Sequence, residues 1–457
     1  MKRLLLACLL ALLAAGLETT VPVAAQNRSV AINVALNTPL TPDILSDLAR
    51  FGRVLDTIEQ IAVVRVRTRE GSLDAIRALS YVAAANPDAE RTGRPIDTVS
   101  VEDFSDGLNT WDQDAVDVTD FGAGRTIGFD GTGVYVAVLD TGLLDSWRQY
   151  FPQERIATQF AKAFSGGGME HGRVAETPNV WEHDQNSHGT HVTSTILGYS
   201  LNGVAINGTA PNATVIPVKV LNQAGFGWSS VIARGIVYIA DLKANGDLGS
   251  APVVINMSLS GPVLDAAEEA AIDYAIGKGV IIVAAAGNEG EDGMGYPGAY
   301  APVISVAASG WVGEWANGNA GWWVNRNVPD PTNPADFYIT DFSSRALTGQ
   351  DLDVAAPGSW VVGPYQTQSG KTSYFFLGGT SMASPHVAGI AALMLQKNSA
   401  LGQAAIEAAL ETTAIPLAPG CRMVPQPSGP AQEFCWEADA TGAGLATASA
   451  ALAGIQP

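Results

Sequence analysis

The sequence predicts a doubly wound α/β domain, with a mostly parallel sheet flanked by helices, preceded by a smaller α/β unit. Two observations predict the fold of the larger domain. Five short runs are almost entirely apolar, as in strands buried on both faces of a parallel sheet; they are 134–139, 215–220, 253–257, 280–286 and 303–307. Helical patterns occur between or after them, at 188–198, 231–244, 264–278 and 384–398.

Charge separates the two units and excludes one class of function. The chain has 457 residues and a net charge of −20. Residues 95–457 hold 36 of the 45 acidic side chains, whereas 26–94 are almost neutral. No basic stripe is present that could neutralise phosphates, so a nucleic-acid partner is not expected.

The first 25 residues have the pattern of a signal peptide. Lys2 and Arg3 precede an apolar run over 4–17, and the small residues of 23–25 form a cleavage site after Ala25. The run is shorter than the roughly 20 residues of a membrane-spanning helix. We therefore expect no membrane span and a secreted protein, with the periplasm and the cell surface as alternatives.

The smaller unit covers residues 26–94. Its predicted strands are 29–36, 62–68 and 80–85, and its predicted helices are 42–51 and 72–79. A polar stretch follows, with the features of an exposed linker. The boundary to the larger domain, 95–457, therefore falls within 86–105.

Two cysteines remain once the signal peptide, with Cys8, is removed. Cys421 and Cys435 flank a loop rich in Pro and Gly, with no histidine nearby to complete a zinc site. In an exported protein the expected outcome is a disulfide bond.

Polar side chains follow two of the apolar runs and begin one predicted helix. Asp140 and Asn288 end strands, which puts them at the carboxyl edge of the sheet, although either could simply form a turn. His188 starts a helix, with His191 three residues later. A metal site there lacks a nearby glutamate or third ligand, so a base at His188 and a core histidine at His191 are the favoured interpretation.

Ser381 lies in GGTSMASPHVAG, between a glycine-rich turn and a helix of small residues. A serine becomes a useful nucleophile only when a base takes its proton and a carboxylate orients that base. Asp140 and His188 supply these two groups. Their order along the chain, Asp, His, Ser, argues against a lipase or esterase of the α/β-hydrolase type, in which the serine comes first. A non-catalytic binding protein is expected to have lost one of these residues.

Several blocks together resemble the subtilisin-like serine peptidases, or subtilases. They include VAVLDTG, NSHGTHV, VINMSLSGP, IVAAAGNEG and GTSMASPHVAGIAAL, and the resemblance extends over about 131–453. It implies a subtilisin-like fold and hydrolysis of peptide bonds through an acyl-enzyme intermediate. Asp140, His188 and Ser381 match the charge-relay positions, and Asn288 matches the side-chain donor to the oxyanion.

The resemblance also assigns a substrate cleft. Its residues are Ser258, Leu259, Ser260, Ala285, Ala286, Gly287 and Gly295, with Gly225 and Gly227 on the opposite side. No acidic residue stands at the Gly295 floor, so we expect a broad endopeptidase that prefers apolar or aromatic residues before the cut. Ser260 stands where the family usually has glycine, which predicts a narrower pocket.

The resemblance also implies that residues 26–94 are an inhibitory, fold-assisting propeptide, which the enzyme cuts from itself within 86–105. Proteins and peptides are then the substrates, the propeptide is an intramolecular inhibitor, and a monomer is expected. The chain departs from the family in insertions near 160–184 and 309–340, the second with four tryptophans. The chemistry requires no cofactor. Acidic residues are numerous enough for a structural calcium ion, but the sequence assigns no ligands to it.

Overall fold

The computed structural model describes residues 28–101, 111–120, 124–168, 172–201, 203–316, 328–365 and 373–456. The predicted signal peptide, 1–25, lies outside these ranges. No helix in the described ranges is both long and apolar enough to cross a bilayer.

The N-terminal unit is a four-stranded antiparallel sheet with two short helices. Its strands are β1 (Ser29–Leu36), β2 (Gly52–Ile58), β3 (Val63–Arg69) and β4 (Val82–Pro87), and its helices are α1 (Pro42–Leu48) and α2 (Leu73–Arg77). The strand order is β2-β3-β1-β4. Strand β2 was not predicted, because it lies at the sheet edge and carries charged residues instead of a buried apolar run.

The remaining elements build the larger domain and the segment that leads to it. The strands are β5 (Glu90–Thr92), β6 (Asp97–Val101), β7 (Thr119–Asp120), β8 (Gly124–Arg125), β9 (Tyr135–Asp140), β10 (Lys162–Ser165), β11 (Ala175–Glu176), β12 (Gly198–Leu201), β13 (Val204–Asn207), β14 (Thr214–Lys219), β15 (Phe226–Trp228), β16 (Val253–Met257), β17 (Val280–Ala285), β18 (Ile304–Trp311), β19 (Phe337–Ile339), β20 (Val354–Pro357), β21 (Val361–Pro364), β22 (Tyr374–Gly378), β23 (Gly420–Val424) and β24 (Gln432–Trp436). The helices are α3 (Trp111–Ala115), α4 (His188–Leu197), α5 (Ser229–Ala244), α6 (Ala266–Gly277), α7 (Thr380–Lys397), α8 (Gln403–Thr413) and α9 (Ala448–Ala453).

A nine-stranded sheet forms the centre of the larger domain. Its order is β11-β10-β14-β9-β16-β17-β18-β19, with β20 also paired to β18. In this order, every pair of adjacent strands between β10 and β18 is parallel, and so is the pair of β18 with β20. The two antiparallel strands, β11 and β19, lie at the ends. The five apolar runs correspond to β9, β14, β16, β17 and β18.

Helices cover both faces of this sheet. Val254 and Ile255 are consecutive in β16 and point to opposite faces. Val254 packs in the core that contains Val192 of α4 and Ile390 of α7. Ile255 packs in the core built by α5 and α6. The predicted doubly wound α/β fold is therefore confirmed.

The tryptophan-rich segment belongs partly to the sheet, since β18 and β19 form its two ends. Trp311 is buried, and its ring centroid lies 6.4 Å from that of Trp111. Trp315 is also buried and packs edge-on against Trp360 at 5.6 Å. These two rings fill the core, whereas residues 317–327 lie outside the described ranges.

The predicted disulfide between Cys421 and Cys435 is confirmed. The two residues stand directly opposite each other in the β23–β24 hairpin. The bond therefore ties the two strands of this hairpin together.

Candidate active site

The predicted catalytic residues lie where secondary-structure elements end or begin. Asp140 is the last residue of β9, His188 the first of α4 and Ser381 the second of α7. Ser187 has φ +76°, a left-handed turn that leads the chain directly into α4. Because α4 and α7 pack on the same face of the sheet, both helices begin close to the carboxyl end of β9.

Asp140 and His188 form a buried hydrogen-bonded pair. Nδ1 of His188 lies 2.9 Å from both carboxylate oxygens of Asp140, and both residues are fully buried. The backbone N–H of Thr141 also donates to Oδ1 of Asp140, at 2.6 Å. The carboxylate favours a proton on Nδ1, which leaves the lone pair of Nε2 to act as a base.

The hydroxyl of Ser381 faces the same pocket but is not bonded to His188 in this structure. Its Oγ donates to the carbonyl of Ser258 at 3.2 Å. Nε2 of His188 is buried and has no hydrogen-bond partner in the described part of the chain. Catalytic hydrogen bonds are often looser before a substrate binds.

Gly93 shows how close these groups are. A methyl group built on it would lie 2.8 Å from the carbonyl oxygen of Ser258 and 3.4 Å from Cε1 of His188. The imidazole and the carbonyl that receives the Ser381 hydroxyl therefore flank one backbone position.

Asn288 is held with its amide group oriented. Its Oδ1 accepts hydrogen bonds from both N and Oγ1 of Thr380, each at 2.9 Å. A backbone N–H can only donate, so this contact identifies the oxygen and leaves Nδ2 as a donor. The N–H of Ser381 lies in the first turn of α7, where backbone N–H groups have no intrahelical partner. Two donors are therefore available beside Ser381.

Asp184 supports the loop before His188 and was not predicted. Its Oδ2 accepts from Oγ1 of Thr141 at 2.8 Å and from the N–H of Ser187 at 2.9 Å. Burial raises the pKa of Asp184 to about 6, although the charge of Lys219 opposes the rise. The only signal in the sequence is an aspartate four residues before the histidine.

His191 is a core histidine, as predicted. It is fully buried, and its Nε2 donates to the carbonyl of Val361 at 3.1 Å. Burial lowers its pKa to about 3, so it is neutral. Among the described residues, the groups with metal-ligand geometry include neither His188 nor His191.

The predicted cleft residues are brought together at the ends of two strands. Residues 258–260 follow β16, residues 285–287 end and follow β17, and all six are buried. Gly295 donates its N–H to the carbonyl of Ala286 at 2.8 Å. A methyl group built on Gly295 would lie 2.8 Å from Cβ of Ser260, so the serine side chain stands close above that floor.

An extended segment of the same chain occupies this cleft. Thr92 and Ser260 exchange both backbone hydrogen bonds, at 2.8 and 2.9 Å. On the other side, the N–H of Gly93 donates to the carbonyl of Gly225 at 2.9 Å, and β5 pairs with β15. The segment therefore lies between the two predicted walls as an added strand.

The segment continues past Ser381. The N–H of Ile96 donates to the carbonyl of Gly378 at 2.7 Å, and β6 then pairs with β22. A methyl group built on Gly379 would lie 3.8 Å from Cα of Pro95. The Arg94–Pro95 peptide bond is thus the part of the segment that crosses from one side of the site to the other.

The prediction of an exposed linker is wrong for this segment. Arg91 is fully buried, lies opposite Gly227 in the β5–β15 ladder and pairs with Glu268, with Nε and Oε2 at 3.1 Å. A polar composition suggested exposure, but buried partners distant in sequence satisfy these groups.

The sequence profile of the subtilase family matches residues 131–447. The chain belongs to the subtilase family. Subtilases are serine endopeptidases, so this chain is a hydrolase of peptide bonds, and the resemblance seen in the sequence is confirmed. Subtilases need no cofactor for their chemistry.

This subtilase is similar to several characterised members. It is 33% identical to thermitase from Thermoactinomyces vulgaris over 285 residues, which are 62% of this chain and 82% of thermitase. It is 35% identical to subtilisin Savinase from Lederbergia lenta over 295 residues, which are 65% of this chain and 88% of that protein.

Solved structures have the same fold. The S41 psychrophilic protease has 28% identity and a TM-score of 0.54, covering 74% of this subtilase and 98% of that chain. Fervidolysin from Fervidobacterium pennivorans, a keratinolytic enzyme related to subtilisin, has a TM-score of 0.62. The match covers 94% of this subtilase and 62% of the fervidolysin chain, and at 24% identity it supports the fold alone.

Proposed function

We propose that this subtilase is a secreted endopeptidase in which Asp140, His188 and Ser381 form the charge relay. The observation that carries the proposal is the distance of 2.9 Å from Nδ1 of His188 to both carboxylate oxygens of Asp140. Such a pair orients the imidazole and stabilises the positive charge that forms when Nε2 takes a proton.

In the first half of the reaction, Oγ of Ser381 attacks the carbonyl carbon of the scissile bond while Nε2 of His188 takes the hydroxyl proton. The carbonyl oxygen becomes an oxyanion, which Nδ2 of Asn288 and the N–H of Ser381 stabilise by hydrogen bonds. The C–N bond then breaks, and His188 gives its proton to the departing amine. The product is an ester between Ser381 and the acyl part of the substrate.

Water completes the reaction by the same steps. His188 removes a proton from the water, whose oxygen attacks the ester carbon. The second tetrahedral intermediate collapses, and His188 returns a proton to Oγ of Ser381. The enzyme is regenerated, and the acyl part leaves as a carboxylic acid.

Specificity is proposed to be broad, with apolar or aromatic residues preferred before the cut. The walls at 285–287 and the floor at Gly295 carry no acidic side chain. Glu289 lies at the rim beside Gly287, where its Oε2 accepts from the N–H of Asn288 at 2.7 Å and from Oγ of Ser344 at 3.0 Å. We therefore expect the rim to tolerate a basic residue without selecting for one.

Residues 26–94 are proposed to be an inhibitory propeptide. The unit is anchored by buried polar contacts, in which Nδ2 of Asn33 donates to Asp265 at 2.9 Å and Arg91 pairs with Glu268. Asp265 also accepts from the N–H of Ala267 at the start of α6, so the contact depends on a fixed helix end. Because the C-terminal end of the unit lies in the cleft, a protein substrate would have to displace the whole unit.

Maturation is proposed to occur by self-cleavage within 86–105. The Ser381→Ala protein should then remain full length after removal of the signal peptide, whereas the parent loses its N-terminal unit. Secretion is tested separately: the full chain should accumulate in the medium, and a chain without residues 1–25 should stay inside the cells. The mature enzyme is expected to be a monomer.

One experiment tests the central proposal against other functions. The parent protein, S381A and the exposed-serine control S399A are treated with a fluorophosphonate probe and assayed on casein and on a short-chain ester. We expect labelling and casein digestion for the parent and S399A, and neither for S381A. Labelling of S381A, or ester hydrolysis without casein digestion, would contradict the proposal.

A further inference from the structure

We propose that Glu268 makes the cleft selective for a basic side chain, arginine above all, on the fourth residue before the cut. In this chain, counting back from the Arg94–Pro95 bond that crosses the site, the fourth residue is Arg91. The inference rests on the proposed peptidase activity of Ser381. It adds a second determinant of specificity to the preference expected for the residue next to the cut.

Backbone contacts fix where the side chain of Arg91 lies. Arg91 stands opposite Gly227 in the β5–β15 ladder. Its neighbour Thr92 exchanges two backbone hydrogen bonds with Ser260 on the other wall of the cleft. These contacts use main-chain atoms, which every peptide substrate has, whereas the side chains between them give specificity. A substrate bound in the same extended form would therefore place the side chain of its fourth residue where that of Arg91 now lies.

The guanidinium of Arg91 enters a pocket that excludes water. Arg91 and Glu268 are both fully buried. Nε of Arg91 donates to Oε1 and Oε2 of Glu268 at 3.2 and 3.1 Å, and Nη2 also donates to Oε2. Nη2 donates in addition to the carbonyl of Val263 at 2.9 Å. A planar fork of donors that faces both oxygens of a carboxylate is a geometry that arginine provides and lysine does not.

A glycine leaves room for this side chain. A methyl group built on Gly261 would lie 2.8 Å from Nη1 of Arg91 and 3.3 Å from its Cδ. The N–H of Gly261 donates to the carbonyl of Tyr296 at 2.9 Å, which ties this wall of the pocket to the rest of the cleft. The pocket thus accommodates a full-length arginine side chain against a fixed wall.

Arg91 is the only ion-pair partner of Glu268 in the described part of the chain. In the same ranges, it also donates every side-chain hydrogen bond to the Glu268 carboxylate. Asp265, three residues earlier, is buried too, and its negative charge repels that of Glu268. When the N-terminal unit leaves, Glu268 becomes a buried carboxylate without a partner, which is costly. A basic side chain from a substrate would restore the pair.

A proton on Glu268 is the competing means of neutralisation. Burial raises the pKa of Glu268, and the charge of Arg91 opposes the rise. With a neutral Glu268, an arginine in the substrate would have no advantage over an apolar residue. However, Glu268 lies in the first turn of α6, where the helix dipole favours the charged carboxylate. The ionised form, and with it selection of a basic residue, is therefore the expected outcome.

The test compares peptides that differ only at the fourth residue before the cut. The full chain is expressed, and the active enzyme that it yields is titrated with a fluorophosphonate probe. The substrates are acetyl-X-Thr-Gly-Phe p-nitroanilides, in which X is arginine, citrulline or norleucine. Citrulline has the shape of arginine without its charge. We expect kcat/KM for the arginine peptide to exceed that for either neutral peptide by at least about tenfold.

Two variants assign the preference to one carboxylate. E268Q should cleave the arginine and citrulline peptides with kcat/KM values within about twofold of each other. E269Q changes the next residue of α6, which is only partly buried, and should keep the parent's preference. General damage to the fold would lower all three kcat/KM values together and leave their ratios unchanged. If E268Q is not labelled by the probe, E268D replaces it, and its shorter carboxylate should weaken the preference.

Failure of this inference differs from failure of the proposed function. A parent that is labelled but cleaves the three peptides equally overturns the inference and leaves the peptidase standing. An E268Q protein that keeps the preference, or an E269Q protein that loses it, overturns the inference as well. A parent that is not labelled and cleaves none of the peptides overturns both proposals.

Discussion

Asn288 and Thr380 are joined by two hydrogen bonds, since Oδ1 of the asparagine accepts from both the N–H and the hydroxyl of the threonine. The same hydroxyl accepts from the N–H of Gly287 at 3.3 Å. Thr380 thereby links the strand end that carries Asn288 to the helix that carries Ser381. The orientation of Nδ2, and hence its proposed contact with an oxyanion, depends on this link.

Replacing Thr380 by Val should lower kcat by about tenfold with little change in KM, because the lost hydroxyl bond matters most when charge develops on the substrate. Asn288→Ala removes the donor itself and should cost about 10²–10³ in kcat. Thr380→Ser keeps the hydroxyl and should retain most of the activity. Steady-state kinetics on a peptide substrate measure all three, and equal kcat values for the Val and Ser variants would contradict the proposed role.

The sequence predicts those residues of the candidate site whose positions follow from local structure. Asp140 and Asn288 follow apolar runs, and the ends of parallel strands share one edge, so their proximity is a property of the sheet. Contacts that depend on distant pairing are different. Thr92 and Ser260 are 168 residues apart, and no local pattern indicates that a polar linker enters a cleft as a strand.

Buried charged contacts were missed for the same reason. Arg91 and Glu268 are ordinary charged residues in their own segments. Only tertiary packing removes the two side chains from water and makes their pairing important for stability. Asp184 was missed although it is close to His188 in sequence. Its role depends on the hydrogen bonds that it accepts from backbone N–H groups, and these have no signature in the sequence.

Pro95 is predicted to slow cutting at the bond that crosses the site. Its ring fixes φ and makes the amide nitrogen of this bond tertiary, and its Cα lies 3.8 Å from a methyl group built on Gly379. Pro95→Ala should accelerate cleavage after Arg94 by about tenfold, equivalent to ~1.4 kcal/mol in the barrier. Mass spectrometry of the new N-terminus over time gives the site and the rate.

The same substitution combined with S381A serves as the control and should show no cleavage. If P95A matures at the parent's site and rate, the Arg94–Pro95 bond is not the one presented to Ser381.

Ser260 is predicted to limit the size of the residue accepted before the cut. A methyl group built on Gly295 would lie only 2.8 Å from Cβ of Ser260. Ser260→Gly should raise kcat/KM for Phe relative to Ala at this position by about tenfold, the scale of added apolar contact in a pocket. Ser260→Ala keeps Cβ and should change the ratio little. A ratio that is the same in all three proteins, measured with matched peptides, would argue against this pocket.

Glu314 is predicted to make the fold less stable as pH rises. It is fully buried, with Oε1 accepting from the N–H of Trp311 at 2.9 Å and Oε2 from the hydroxyls of Tyr338 and Ser359 at 3.1 and 3.0 Å. Burial raises its pKa from 4.5 to about 8. Between these values the folded chain holds a proton that the unfolded chain has lost, so the free energy of unfolding falls as pH rises and levels off above about pH 8.

Glu314→Gln should remove this part of the pH dependence, because the amide keeps the shape of the side chain and does not titrate. The free energy of unfolding in urea is measured at pH 5 and at pH 9. Its fall between the two pH values should be larger for the S381A protein than for the E314Q variant, by an amount on the order of a few kcal/mol. Other buried acids contribute to the slope in both proteins, so the difference between them isolates Glu314. The exposed variant E154Q should keep the parent's slope, and an E314Q protein that also keeps it would show that the carboxyl is ionised in the fold.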